Sequence, residues 1–126
     1  MTPEHFKGFW YMASPYRKYP GGLELAAKHA AEIAAELLDR NVLVYSPIVH
    51  SHHIADFVRS RTHYDDFWLQ AEIPFMRASR GMILIKMPSW DISSGIAWEQ
   101  DWFKHQGRPI YRLSDPLPEQ LPGALL

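Results

Sequence analysis

Three short, unbroken apolar runs constrain the fold of this chain more than any other feature. Phe9-Trp10-Tyr11-Met12-Ala13, Val42-Leu43-Val44-Tyr45 and Gly81-Met82-Ile83-Leu84-Ile85-Lys86 are strand-sized and lack the alternation of a sheet with one wet face. Strands that are apolar on both sides belong to parallel sheets covered by helices front and back. The first two runs stop at the pairs Ser14-Pro15 and Ser46-Pro47. Between the strands, Leu23, Ala26, Ala27, Ala30, Ile33, Ala34, Leu37 and Leu38 recur at helical spacing as far as Arg40, and Asn41 is an end signal. The histidine-rich stretch from Ile48 to Arg61 reads as a loop with a short helix. A helix is expected from Tyr64 to Ser79, with Pro74 kinking it or beginning a second one. Ser93 or Ser94 can cap a helix running to about His105 and ended by Gly107. Arg108 to Arg112 forms a short fourth strand, its proline at the start. Strands alternating with helices predict an α/β fold: a three-layer, flavodoxin-like, doubly wound parallel sheet of four to five strands. In such sheets ligands bind beyond the carboxyl ends of the strands. Those ends are Ser14-Pro15, Ser46-Pro47 and the loop from Met87 to Ser94. Residues 113–126 form a proline-rich tail, with Pro116, Pro118 and Pro122, expected to run extended against a neighbouring subunit.

A chain of 126 residues, 47% of them hydrophobic, fits one domain with one core spanning 1–126. The formal charge of −1 gives no general attraction to polyanions, so no nucleic-acid polymer is expected as a partner. The absence of cysteine rules out disulfides and thiolate metal sites and fits a reducing cytoplasm. No stretch reaches the roughly 20 apolar residues of a membrane span, and the N-terminus lacks a signal-peptide core.

Glu99 is the anomaly. On a helical wheel begun at Ile92, the residues Ile92, Ile96 and Phe103 fall together, flanked by Gly95, Trp98 and Trp102, while Asp101, Lys104 and His105 lie opposite. Glu99 falls inside the apolar arc. A carboxylate facing a sheet must be paired, protonated or used, because burying it bare costs several kcal/mol or more. Helical side chains lean toward the N-terminus, so Glu99 reaches back toward Asp91 and the serines that follow. It is either a functional carboxylate or a structural one paired with an arginine or a helix cap. Ser93, Ser94 and Gly95 offer free N–H groups and two hydroxyls at the same helix start, which suits phosphate or an ordinary N-cap.

Other candidates surround these strand ends. Tyr11 can bring its hydroxyl to Glu99 or belong to the core. Ser14 and Pro15 close the first strand, and Arg17 and Lys18 follow in the first loop, where they meet a phosphate or a base or remain solvated. Asp65 and Asp66 open the third helix, where the helix dipole favours acids; either is also a candidate second carboxylate, since glycosidic cleavage commonly uses two. His50, close behind the second strand, and Trp90, in the loop before Ser93, are candidate pocket residues. His50, His52, His53 and His63 match no standard zinc pattern, and neighbouring His52 and His53 should point apart. No metal or other cofactor is expected.

At these residues the chain resembles a known family. Tyr11-Met12-Ala13-Ser14-Pro15 is similar to the Tyr-Leu-Ala-Gly-Pro end of the first strand in the nucleoside 2-deoxyribosyltransferase superfamily. Gly95-Ile96-Ala97-Trp98-Glu99 resembles that superfamily's Gly-x-x-x-Glu, where the glutamate is the nucleophile, and Asp65-Asp66-Phe67-Trp68-Leu69 its aspartate-containing segment before the third strand. The resemblance covers roughly Tyr11 to Gly107. The stretch from Ser46 to His52 looks closer still to a small bacterial branch of unassigned function. By this resemblance Glu99 attacks C1′ of an N-glycoside through an oxocarbenium-like transition state, giving a glycosyl-enzyme. Tyr11 then orients Glu99, while Asp65 holds the sugar or assists protonation of the leaving base. The transferases carry an aspartate six residues before the nucleophile, where this chain has Ser93. A 5′-monophosphate N-glycosidase branch has a phosphate-contacting serine there. The resemblance therefore implies a nucleotide or nucleoside substrate, hydrolysis or deoxyribosyl transfer, and a homodimer or higher homo-oligomer. The first loop departs from the glycosidases' Arg-Gly-Gly, since Pro20-Gly21-Gly22 lies farther from the strand. The competing expectation is a non-catalytic nucleotide-binding module, with Glu99 holding a sugar hydroxyl; a third is an interaction protein with a relic pocket.

Overall fold

The computed structural model describes residues 6–59 and 66–126. Its strands are β1 (Trp10–Ala13), β2 (Val44–Tyr45), β3 (Met82–Lys86) and β4 (Ile110–Ser114). They form one sheet in the order β2-β1-β3-β4, and every neighbouring pair is parallel. The helices are α1 (Leu23–Asp39), α2 (Pro47–His52), α3 (Phe67–Ala78) and α4 (Ser94–His105). The strand order and three layers are those of a flavodoxin-like α/β fold, as expected. None of the described helices is long and apolar enough to cross a membrane.

The two-residue period of a strand divides the apolar runs between two cores. Trp10 and Met12 of β1 and Ile83 and Ile85 of β3 face Ala26, Ala30, Ile33 and Leu37 of α1. Tyr11, Ala13, Met82 and Leu84 face the other way, onto Met76 of α3 and Ile96 and Phe103 of α4. Every one of these side chains is buried, which explains why the runs carry no polar alternation. Gly81 enters β3 where no side chain fits: a Cβ there would lie 2.6 Å from the Pro109 carbonyl oxygen and 2.8 Å from the Trp10 ring.

Several boundaries differ from those expected. β2 pairs over two residues only, because Val42 is still bound to the end of α1 through its N–H to Leu37 O (2.9 Å). Asn41 takes a left-handed φ of 65°, which ends α1 where its type predicts. α3 runs as one helix through Pro74, which is exposed, instead of restarting there. β4 extends to Ser114, so Leu113 and Ser114 belong to the sheet and not to the tail. The tail packs on its own chain. Leu125 is buried, and its carbonyl accepts hydrogen bonds from Trp10 Nε1 (3.1 Å) and Arg80 (3.2 Å). Arg40 holds the carbonyls of Pro118 and Glu119 (3.1 and 2.7 Å). With Leu117 and Leu121 the tail covers the sheet face that α1 leaves open.

Candidate active site

In this topology β1 leads to an edge strand on one side while β3 lies on the other, so the crevice opens beyond the carboxyl ends of β1 and β3. A cavity of about 760 Å³ lies there, within the range of small-molecule sites. Ser14, Arg17 and Lys18 line it from the end of β1, Glu72 and Trp68 from α3, and Ser93, Ser94, Gly95 and Glu99 from α4.

α4 starts two residues later than the wheel assumed. Ile92 ends a 3₁₀ turn (Trp90–Ile92) ahead of the helix and is 58% exposed. The buried residues of α4 are Ile96, Glu99 and Phe103, so Glu99 occupies the second turn of the apolar face. Ser93 caps the helix, its Oγ accepting from Ile96 N (3.2 Å). The N–H groups of Ser94 and Gly95 belong to the first turn, where no intrahelical carbonyl is available to them.

Glu99 is 7% exposed, and the buried Tyr11 hydroxyl donates a hydrogen bond to its Oε2. Burial pushes the Glu99 carboxyl up to about 8; the bond from Tyr11 pulls the other way, and the charge of Glu72 adds to the rise. The Tyr11 hydroxyl is itself held well above its ordinary value, first by burial and then by Glu99.

Sequence reasoning missed Glu72. This carboxylate is 5% exposed, lines the same cavity and accepts a hydrogen bond from Tyr45 Oη (2.7 Å). Burial raises it above the ordinary carboxylate range, opposed by the Tyr45 bond and by nearby His50. Its signal was present: Leu69, Glu72 and Met76 stand three and four residues apart on one helical stripe. A helix broken at Pro74 hides that stripe. Tyr16, Trp68 and Ser51 also line the cavity and had no distinguishing sequence pattern.

Of the other expected site residues, Ser14 is buried on the cavity wall with no hydrogen-bond partner for its Oγ. Arg17 and Lys18 are exposed on the wall, and Lys18 Nζ also approaches Ile92 O (3.4 Å). Four of the expected residues do not line the cavity. His50 turns to the sheet edge, its Nδ1 3.1 Å from Tyr45 Oη and its ring beside Phe75, and lines no part of the cavity. Pro15 is buried and does not line the cavity. The turn that starts at Ser89, with φ 75°, carries Trp90 into the apolar cluster around Tyr11 and Met82, leaving Asp91 exposed outside the cavity. Asp65 and His63 lie outside the described residues, and Asp66 is an exposed N-terminal residue of α3. His52 and His53 do not point apart: their rings meet edge-on at 4.9 Å, and with Glu24 they could hold a metal ion.

A family model matches residues 8–115, from just before β1 through β4. The chain belongs to this family. It is the family described as Domain of unknown function (DUF1937). Comparison with curated proteins gives no significant match. The matched span contains every residue of the DUF1937 chain that lines the cavity.

Proposed function

We propose that the chain cleaves the N-glycosidic bond of a nucleotide or nucleoside, with Glu99 as nucleophile and a 5′-monophosphate as the preferred substrate. The observation that carries this is a buried carboxylate, Glu99, held by a tyrosine on the wall of a cavity that a second buried carboxylate, Glu72, also lines. Glu99 attacks C1′ as the C–N bond to the base breaks, and the base leaves with a proton. Glu72, protonated more readily than an ordinary carboxyl, supplies that proton and later takes one from the attacking water. Water then opens the glycosyl ester and frees Glu99; a second base in place of water gives transfer. The resemblance assigned the assisting role to Asp65; the buried position of Glu72 supports Glu72 instead. Arg17, Lys18 and the α4 start (Ser93, Ser94, Gly95) offer cations and N–H groups to a phosphate, and the orphaned Ser14 hydroxyl offers a partner for a sugar oxygen. By the same resemblance the active species is a homodimer or higher homo-oligomer, which sedimentation checks.

The test is incubation with ribo- and deoxyribonucleosides and their 5′-monophosphates, followed by chromatography for free base. Wild type should release base and Glu99→Gln should not. Tight binding without release sinks the enzyme and leaves the binding module. A nucleophile must be ionised and a general acid protonated, so kcat/KM should pass through a maximum, rising as Glu99 ionises and falling as Glu72 loses its proton; a profile that only falls would make Glu99 a general acid. Ser93→Ala should weaken monophosphates more than nucleosides, and equal weakening removes phosphate from the proposal.

A further inference from the structure

A second cluster of chemistry-bearing side chains lies outside the cavity, where α2 meets the first turn of α1. Glu24 belongs to that turn, His52 is the last residue of α2, and His53 follows it. One ligand atom from each lies within 4.8 Å of the other two. A tetrahedral zinc ion with bonds of about 2.0–2.1 Å holds its ligand atoms roughly 3.3 Å apart. The side chains of Glu24 and His53 are 82% and 77% exposed, so both are free to close that gap. His52 is pinned from both sides. Its Nε2 meets Glu24 Oε2 at 2.7 Å, and its Nδ1 lies 2.6 Å from Tyr16 Oη. With the proton on Nδ1, donated to the tyrosine oxygen, the Nε2 lone pair faces the cluster, which is the tautomer a metal requires. Asp56 Oδ2 lies 3.9 Å from His53 Nδ1, beyond hydrogen-bond reach. Ala27, Ala31 and Val49 line the same shallow hollow, with Lys28 as its cation. Lys28 is exposed and can turn its ammonium into solvent.

We propose that Glu24, His52 and His53 bind a divalent transition-metal ion of the zinc class. Two imidazoles and a single carboxylate suit zinc, nickel or copper, whereas magnesium and calcium require sets of oxygen ligands. Tyr16 lines the main cavity as well as holding His52, so the ion fixes one residue of the cavity wall from outside.

Calorimetric titration of the full chain without a histidine tag, using zinc and then magnesium, tests this. Zinc should bind at one ion per chain and magnesium should not bind. His53→Gln leaves the His52–Glu24 and His52–Tyr16 contacts in place, so the fold is kept, as circular dichroism will verify. That variant should lose at least tenfold in zinc affinity, and Glu24→Gln likewise. Tyr16→Phe should lose about tenfold through the lost orientation of His52. Absence of zinc binding overturns the proposal. So does zinc binding that both His53→Gln and Glu24→Gln leave unchanged, which would mark an adventitious ion elsewhere, or magnesium binding as tight as zinc.

Discussion

Two tyrosine–glutamate pairs stand side by side on one face of the sheet. Tyr11 and Tyr45 are register partners on β1 and β2, and each donates to a buried glutamate from a helix above, Glu99 on α4 and Glu72 on α3. Their surroundings differ. Tyr11 is enclosed by β3 and Phe103, and among the groups acting on Glu99 there is no cation. Tyr45 is on the edge strand, stacked on Phe75 at 4.4 Å, with His50 beside it. Glu72 therefore has an imidazole nearby, whereas the groups acting on Glu99 are the Tyr11 phenol and the Glu72 carboxylate. The same chemical pair is enclosed at the sheet centre and flanked by a histidine at its edge. A neighbouring imidazole, more than a difference in exposure, separates the two glutamates.

The largest way to break this comparison is stability against pH. The folded value of Glu99, about 8, stands above its ordinary 4.5. Wild type therefore has its full stability below about 4.5 and loses it as pH rises through 8, by roughly 5 kcal/mol at that site. Glu99→Gln should escape this loss and be the more stable protein at pH 9, but not at pH 4. Urea unfolding of both at the two pH values decides it, and parallel curves would remove Glu99 from the core.

The next effect is catalytic and concerns the edge pair. Glu72→Gln should lower base release by about a hundredfold or more, and least for substrates whose base leaves easily without a proton. An equal loss for good and poor leaving groups would deny Glu72 its acid role.

A smaller effect separates the tyrosines. Tyr11→Phe removes the one bond that favours ionised Glu99, so the rising limb of kcat/KM should move to higher pH. Tyr45→Phe should leave that limb in place, and pH profiles of the two variants measure the contrast. The smallest expected effect is at Gly95. A Cβ there would meet only Ser93 Oγ, at 3.8 Å, so Gly95→Ala should leave stability unchanged or raise it by about 0.5–1 kcal/mol. It should still weaken ligand binding, since the added methyl is at the cavity wall; thermal melts and a binding titration read the two effects separately.

The centre of the sheet was legible in the sequence and its margins were not. β1 and β3 are buried on both faces, and that leaves an unbroken apolar run which cannot be mistaken for a surface strand. Glu99 was legible for the same reason, because a lone carboxylate on an apolar stripe stands out. Glu72 obeys the same rule, yet Pro74 suggested a helix end that the exposed side of α3 accommodates without one. His50, Trp90 and Asp91 depended on where short 3₁₀ and helical turns aim their side chains, and a shift of one residue redirects them. The tail's destination was decided by contacts with Trp10, Arg40 and Arg80, far from it in sequence.

That tail has a consequence for synthesis. Trp10 and Leu125 are 115 positions apart, yet the indole N–H donates to the later residue's carbonyl. As the chain leaves the ribosome, β1 must wait for almost everything that follows before its indole finds its partner. Contacts of such separation slow the search for the native state. The first strand of the sheet in chain order is thus among the last to be sealed.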